Sequence, residues 1–451
     1  MMRRVEDQYQ MGLIAPHEQV VLGHFRRNVA AVVGVDSLWG LGLPFALSWV
    51  LVPAYLNLLD APKVVIGITS AFGAVFVPLQ LLAIRLIEGR NRKKKVWLTL
   101  SVSALSYVVF GVVGFLLPAE ARLLRMVLFV VTMAVFFATI ALGWTVYWAM
   151  ITDNCPVRRR GRLLGWRATG MGAAGLAAAP FAQWVYVRLA PEAAFHLSMM
   201  IAGGCFLLAS ACVLLMRDHV EPGRQRRQAK LARVSVVHQT RILLRRLWRT
   251  PNYRMFIFFV AVLAAAFSVG PFIVTYSRDV VGSPAGSERF FNLAFLAAYI
   301  LTGLVVGRVA DAWGYRFVAV ILAAVGFVTF VLAQAAGTMS TTLLAYLSYS
   351  CTLITMPMIV CNMSAELMPR MDPTSLIAGG NILTLPAALL TPVICGRIID
   401  MFRSTGHVWD GHTVVFTIAA ALAVVAGLGL ALLVQEPRSG RVYIIKALPR
   451  V

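Results

Sequence analysis

The stretch FVAVILAAVGFVTFVLAQAAGTMSTTLLAYLSYSCTLITMPMIVCNMSA, residues 317–365, contains no Asp, Glu, Lys or Arg. A helix needs about 20 mainly apolar residues to cross the hydrocarbon core of a bilayer, so this stretch is too long for one crossing. The short polar segment 336–340, which contains Gly337, Thr338 and Ser340, supplies a turn in its middle. The stretch therefore predicts two membrane helices joined by a tight hairpin.

Similar apolar runs cover most of the chain. Hydrophobic residues make up 59% of its 451 residues and charged residues 13%, whereas soluble domains have roughly 45–50% and about 25%. The apolar residues form long uncharged runs, which favours a lipid-embedded protein over an unusually apolar soluble core. We predict an all-α polytopic membrane protein with twelve transmembrane helices, at 28–59, 64–84, 96–119, 126–152, 168–187, 193–216, 255–277, 290–307, 317–338, 341–365, 373–396 and 413–434.

The basic residues indicate how these helices are oriented. With the N-terminus inside, 33 of the 41 Lys and Arg residues fall on the inner side, including five, Arg167 among them, in the loop after the fourth span. Inner loops of membrane proteins are enriched in Lys and Arg, so both termini are expected to be cytoplasmic. Membrane orientation then explains the net charge of +22 without nucleic-acid binding.

The longest polar segment, 217–254, separates six spans from six. It holds eleven basic residues interleaved with apolar ones such as Leu231, Ile242 and Trp248. Two interpretations stay open: an amphipathic helix lying on the anionic inner leaflet, or a plain solvated linker. The predicted organisation is a cytoplasmic tail 1–27, a six-helix bundle 28–216, a basic cytoplasmic linker 217–254, a second six-helix bundle 255–434 and a cytoplasmic tail 435–451.

The two bundles show a weak internal repeat. Asp153-Asn154-Cys155-Pro156, followed by Arg160-Gly161, comes after the fourth span, and Glu366-Leu367-Met368-Pro369, followed by Gly379-Gly380, comes after the tenth. The offset is about 213 residues. Duplicated halves of this kind occur in transporters, so we expect two pseudo-symmetric six-helix bundles.

The turn after the eighth span reads GRVADAWGYR, residues 307–316. Gly307 permits close helix packing together with Gly303 on the same face. Asp311 can cap the N-terminus of a neighbouring helix or pair with an arginine. Gly314 permits a sharp reversal, and Arg316 can hold the end of a facing helix.

This turn resembles the signature turn of the major facilitator superfamily. The resemblance covers nearly the whole chain, and it implies two six-helix bundles that rock about a central site. It assigns gating roles to Gly307, Arg308, Asp311, Gly314 and Arg316, and to Asp153, Pro156, Arg160 and Gly161 in the similar turn between the fourth and fifth spans.

The turn after the second span departs from the signature. It reads EGRNRKKK, residues 88–95, and lacks the Gly-x-x-x-Asp pattern. Together with Pro78 and Gln80, its Glu88 and lysines look similar to a poorly characterised bacterial branch of the family. The resemblance implies a location in the bacterial inner membrane.

The family resemblance implies a central cavity, where polar side chains are candidates for solute or proton binding. Asp36 lies well inside a predicted span and could carry a proton or bind a cationic solute; the alternative is a helix-end acid paired with Arg26 or Arg27. For the remaining candidates the alternative is helix packing or helix–helix hydrogen bonding. They are Trp39, Gln80, Trp144, Tyr147, Trp148, Asn292, Tyr299 and Tyr349.

These features predict a secondary transporter for a small organic solute, with protons or sodium as candidate coupling ions. No nucleotide-binding motif is present, and we expect no cofactor, no metal, no nucleic-acid partner and a monomer in the bilayer. Sparse buried charge favours a neutral or amphipathic solute over a polyanion. Two alternatives are a polytopic membrane enzyme, for which no catalytic His or acid constellation is visible, and a sensor or scaffold of the same fold without transport.

Overall fold

A computed structural model describes most of the chain. The described residues are 16–46, 55–56, 58–62, 65, 69, 72–86, 91–118, 120–156, 159–219, 236–284, 287–368, 371, 373–404 and 406–436. They form helices and turns, and no strand occurs among them. Glu88, which belongs to the predicted bacterial-branch pattern, lies outside the described residues.

Fourteen α-helices follow one another along the described chain. They are α1 (Pro16–Ala46), α2 (Gln80–Leu86, after the 3-10 turn Val77–Leu79), α3 (Arg92–Leu116), α4 (Arg122–Asp153), α5 (Arg160–Arg188), α6 (Pro191–Cys212), α7 (Val236–Arg249), α8 (Pro251–Phe267), α9 (Phe272–Asp279), α10 (Glu288–Trp313), α11 (Tyr315–Gln334), α12 (Met339–Leu367), α13 (Pro373–Ser404) and α14 (Val408–Leu432).

Helices stand at all twelve predicted span positions. Ten of them, in the part of the chain that is described, are long and apolar enough to cross a membrane. The 29-residue α5 is long enough, but its uncharged part is rich in glycine and alanine and only weakly apolar, so it falls outside those ten. The second predicted span, 64–84, is only partly described and contains the shorter apolar helix Phe72–Ile84. The all-α polytopic fold predicted from the sequence is therefore confirmed.

Several helices begin earlier than the apolar runs suggest. Helix α1 begins at Pro16, inside the predicted tail, and α5 begins at Arg160, before the predicted start at residue 168. The charged first turns of a helix are invisible to a search for apolar runs, although backbone hydrogen bonding continues through them. As a consequence Arg167, which the sequence placed in a loop, is part of a membrane helix.

The two halves share a hydrophobic core. One core lies within α1–α6 and another within α7–α14, and a further cluster joins helices of both halves. In that cluster Val35, Tyr147 and Leu164 of the first half lie with Phe295 and Met358 of the second. The halves are thus in direct apolar contact.

Glycines bring α5 and α10 together backbone to backbone. A Cβ placed on Gly161 would lie 2.4 Å from the carbonyl oxygen of Gly307, and one on Gly165 would lie 2.4 Å from that of Gly303. Each pair is spaced four residues along its helix, so the two Gly-x-x-x-Gly faces meet. Any side chain at these positions would force the two halves apart.

The linker forms a helix that rests on the second half. Leu243 and Leu247 of α7 are buried, and Leu247 packs over Gly379 of α13. Neither of the two predicted interpretations included this packing, because only the folded chain shows that α13 offers a glycine notch for the leucines. We call the end of the molecule that carries α7 the linker end.

In each half, one asparagine bonds to the backbone of a distant residue at the linker end. Asn28 in α1 exchanges two hydrogen bonds with the backbone of Arg217, at 3.1 and 2.8 Å. Asn252 in α8 does the same with the backbone of Gln435, at 3.0 and 2.8 Å. The equivalence of these contacts supports a duplicated architecture.

Candidate functional site

A buried ion pair joins α1 to α5 inside the first half. The Nε of Arg167 donates to Oδ2 of Asp36 at 2.6 Å, and its Nη2 donates to Oδ1 at 2.9 Å. Asp36 is 1% exposed and Arg167 5%. The predicted pairing of Asp36 with Arg26 or Arg27 is wrong, since the Nε of Arg27 instead donates to the carbonyl oxygen of Leu215. Two parallel hydrogen bonds of this kind fix the orientation of the carboxylate relative to the guanidinium and are among the strongest ion-pair geometries.

Aromatic rings of α4 surround the guanidinium of Arg167. Its Cζ lies 4.1 Å from the ring centre of Trp148 and 5.8 Å from that of Tyr147. A guanidinium over an aromatic face is attracted by the ring quadrupole, more so when water is excluded. Tyr299 of the second half lies close enough to interact electrostatically with both Asp36 and Arg167. The pair therefore sits where the two halves meet.

Two hydrogen-bond donors at the pair are left unused. Among the described residues, Nη1 of Arg167 and the hydroxyl of Tyr147 are buried and form no hydrogen bond, although the Tyr147 hydroxyl lies near Asp36. Buried polar groups without partners are rare and costly, so these two donors make the pair a candidate place for an oxygen-bearing solute or water to bind. The Oδ1 of Asn292 in the second half is also buried without a hydrogen bond among the described residues, but no contact joins Asn292 to the pair.

The remaining aromatic candidates are packed within one half. Trp39 stacks on Phe206 with ring centres 4.1 Å apart, and its centre lies 5.5 Å from that of Trp144. Tyr349 is buried and occupies the space left by Gly270 in the second half. Trp39 and Tyr349 serve packing in this conformation, whereas Tyr147, Trp148 and Tyr299 stand at the ion pair.

Asp311 joins the two halves at the linker end. Its Oδ1 accepts from the backbone N–H of Gly161 and its Oδ2 from that of Arg162, both at 2.9 Å. These N–H groups lie in the first turn of α5, where the helix offers them no carbonyl partner, so a carboxylate from α10 caps a helix of the other half. The same aspartate lies 3.8 Å from Nε of Arg162.

The rest of the GRVADAWGYR turn ties the second half to itself. Gly314 has a positive φ of 91°, which a side chain rarely adopts. The guanidinium of Arg316 donates to the carbonyl oxygens of Leu430 and Ala431 near the end of α14. Arg308 is exposed and donates to the carbonyl of Leu304 in its own helix.

Charged side chains bond to one another at the linker end of the first half. Arg92 is buried between Asp153, at 2.8 Å, and Asp218, at 2.6 and 2.7 Å. Burial acts to raise the pKa of Asp218, but the hydrogen bonds and charge of Arg92 outweigh it, aided by Asn154, and leave that pKa below its usual value.

The loop between α4 and α5 holds two more predicted gating residues. Pro156 is buried and its carbonyl oxygen accepts from the backbone N–H of Arg159 at 2.9 Å. Arg160 donates to the carbonyl oxygen of Thr152 at 2.6 Å. These contacts fix the start of α5 below the Asp311 cap.

A second polar contact links the halves between α2 and α13. Nδ2 of Asn381 donates to Oε1 of Gln80 at 2.7 Å. It lies in the part of α13 that packs against α7, so two separate contacts, α2 with α13 and α5 with α10, hold the linker end closed. No group of three or more His, Cys, Asp or Glu within the described ranges is arranged to hold a metal ion.

Comparison with known proteins decides the family. The model of the Major Facilitator Superfamily matches residues 37–392. The chain belongs to the major facilitator superfamily. No protein in the curated set matches the sequence.

Solved structures of superfamily transporters share the fold. A variant of the E. coli fucose:proton symporter FucP superimposes with a TM-score of 0.64 at 14% identity, covering 90% of this chain and 98% of its own. The proton:xylose symporter XylE gives 0.62 at 13% identity, covering 91% and 96%. The human organic anion transporter MFSD10 gives 0.59 at 14% identity, covering 92% and 100%. Identities this low show the fold alone.

Sequence reasoning missed two residues of this superfamily member, Arg167 and Arg92. Both stand among basic residues near predicted helix starts, so each looked like an ordinary inner-side charge. The available signal for Arg167 was Gly170, three residues later on the same face of the helix, which packs against Ser37 and Val33 of α1. A basic residue on a small-residue packing face is a candidate for burial.

Proposed function

We propose that the protein is a secondary transporter that moves a small organic solute by alternating access. The observation that carries this proposal is the buried Asp36–Arg167 pair at the junction of the halves, with unused donors beside it. Charges inside a membrane protein are costly and mark solute or proton pathways. The comparison structures that are named as proton symporters, FucP and XylE, support the same function.

The pair also supports proton coupling. Both carboxylate oxygens of Asp36 accept N–H bonds from Arg167, so a proton that binds Asp36 removes the negative charge that holds the guanidinium and weakens the pair. Once Asp36 is protonated, the guanidinium of Arg167 is left charged and needs another acceptor, which an oxygen of the solute can supply. Proton binding and solute binding would then favour each other.

Alternating access requires the linker end to open. The halves are held together there by two backbone N–H bonds that Asp311 accepts, by one hydrogen bond from Asn381 to Gln80, and by the glycine faces. The hydrogen bonds are few and the glycine contacts can separate as rigid surfaces. A rocking motion about the central pair therefore breaks few contacts within either half.

Reconstituted protein tests the proposal. Proteoliposomes carrying a lumenal pH dye are mixed in turn with neutral sugars, monocarboxylates, amino acids and amphiphilic cations, and both solute uptake and lumenal pH are followed. We expect saturable uptake of one class with a parallel pH change. Asp36→Asn should abolish the pH change, whereas Asp400→Asn, which removes an exposed carboxylate of α13, should retain it.

Two results would contradict parts of the proposal. Uptake with an unchanged proton flux in Asp36→Asn would exclude Asp36 as the proton carrier. Absence of uptake for every class, with folded protein in the membrane, would favour the sensor or scaffold alternative.

A further inference from the structure

Helix α7 has two faces of different chemistry. Leu243, 6% exposed, and Leu247, 0% exposed, point toward the second half and pack on Gly379. At 100° per residue, the opposite face carries Arg241, Arg245 and Arg249. All three arginines are exposed. The helix contains no acidic residue, so nothing on it neutralises this face.

Two apolar side chains flank the exposed arginines. Trp248 is 53% exposed and Ile242 is 39% exposed. A face meant only for water has no use for an exposed tryptophan, and a nucleic acid or acidic peptide would use the arginines but leave the isoleucine uncovered. Arginine with interleaved Trp and Ile is the composition of helices that lie at the membrane surface.

The packing of α7 places this face at the level of lipid headgroups. The 32 residues of α13 extend about 48 Å, well beyond the roughly 30 Å hydrocarbon core. Gly379, where α7 packs, is in the second turn of α13, and α7 also contacts the start of α8. The end turns of such long helices lie outside the hydrocarbon, in the headgroup layer.

We infer that the outward face of α7 is a binding site for the headgroups of anionic phospholipids. Arg241, Arg245 and Arg249 bind the phosphates, while Trp248 and Ile242 enter the boundary of the acyl chains. The site is separate from the Asp36–Arg167 pair and does not depend on the proposed transport. Because α7 packs on α13 two residues from Asn381, bound lipid holds the helix that carries the Gln80 contact.

Binding of fluorescent lipid to the full-length protein in neutral detergent tests the site. Phosphatidylglycerol and phosphatidylcholine, each with the same fluorophore, are titrated and their affinities compared. The variant Arg241→Gln/Arg245→Gln/Arg249→Gln is matched with Arg188→Gln/Arg278→Gln/Arg289→Gln, which removes three exposed arginines of other helix ends. Arg241→Lys/Arg245→Lys/Arg249→Lys retains the charge of α7.

We expect wild-type protein to prefer phosphatidylglycerol by at least tenfold, since each surface arginine contributes about fivefold near anionic lipid. The α7 glutamine variant should lose that preference, and the lysine variant and the matched control should retain it. An equal loss in the matched control, or an unchanged preference in the α7 variant with its thermal unfolding intact, would overturn the inference. So would displacement of phosphatidylglycerol by an RNA oligonucleotide at lower concentration than by unlabelled phosphatidylglycerol.

Discussion

The two halves of the molecule are built alike but differ in buried charge. The first half buries Asp36, Arg92, Arg125 and Arg167. Among the described residues of the second half, the buried polar groups are Ser, Thr and Asn side chains and His412, and no Asp, Glu, Lys or Arg is buried. A buried charge is costly unless it is paired, so the half that keeps such pairs is the one in which we expect proton and solute chemistry.

The same contrast appears where each half closes its linker end. In the first half Arg92 is held by two carboxylates, Asp153 and Asp218. In the second half Arg316 holds backbone carbonyl groups of α14. The guanidinium at this turn thus binds two carboxylates in the first half and helix carbonyl groups in the second, where a carboxylate, that of Glu436, accepts from the backbone N–H of Arg316 at 3.2 Å. The two halves share a fold but bond this arginine side chain differently.

The largest expected effect tests this contrast directly. Arg92→Gln removes the buried cation that bonds both Asp153 and Asp218 and should lower the free energy of unfolding by about 3–5 kcal/mol. Arg316→Gln removes hydrogen bonds from partly exposed carbonyls and should cost about 1–2 kcal/mol. Denaturant unfolding of both variants in one detergent measures the difference. If Arg316→Gln costs as much as Arg92→Gln, the two halves do not differ in the way proposed.

The central pair gives the next effect. Arg167→Gln leaves Asp36 buried and alone and should cost about 3 kcal/mol, and Asp36→Asn a similar amount. The double variant leaves no charge to compensate and should recover most of that loss. A thermodynamic cycle on thermal unfolding measures the coupling. Additive losses in the double variant would show that the two side chains do not depend on each other.

The pH dependence of Asp218 sharpens the comparison at the linker end. Its pKa is lowered in the folded protein from a usual value of 3.8, so its stabilising contribution is complete above pH 4 and is lost as the pH falls through the lowered pKa. The free energy of unfolding of wild type should exceed that of Asp218→Asn by about 1–3 kcal/mol. This difference should be constant between neutral pH and pH 5 and should shrink below pH 4. A difference that vanishes already near pH 6 would contradict the assignment.

Asp311 belongs to the second half but caps a helix, α5, of the first half. Asp311→Ala removes the cap on α5 and should cost about 0.5–2 kcal/mol. Amide hydrogen exchange should accelerate at Gly161 and Arg162, whose N–H groups the carboxylate accepts, and conformational cycling should change more than solute affinity. Asp311→Asn retains an acceptor oxygen and should show a smaller effect. A collapse of affinity at unchanged cycling rates would refute a gating role.

The smallest effect tests what the halves have in common. Asn28→Ala and Asn252→Ala each remove two hydrogen bonds to backbone at equivalent positions. Each should cost about 1 kcal/mol, with a similar shift in thermal unfolding. A cost several times larger in one half would show that the equivalence is geometric only.

The sequence by itself determined the membrane fold, the position of nearly every span and the place of the turn 307–316 between two of them. An uncharged run long enough to cross a bilayer has few possible structures other than a membrane helix, because backbone polar groups in hydrocarbon must be hydrogen-bonded within the helix. Gly307, Asp311 and Gly314 could also be recognised from the sequence, since the signal at each depends on the residue's own conformational freedom, size or charge.

Only the tertiary structure decided which charges meet. Arg167 and Asp36 are 131 residues apart in the chain, and Gln80 and Asn381 are 301 apart. Hydropathy does not encode such pairings, because a charged residue at a helix start looks the same whether it faces water or a buried carboxylate. Helix packing sets the distance between partners, and that distance makes Arg167, which the sequence places in an inner loop, the centre of the candidate site.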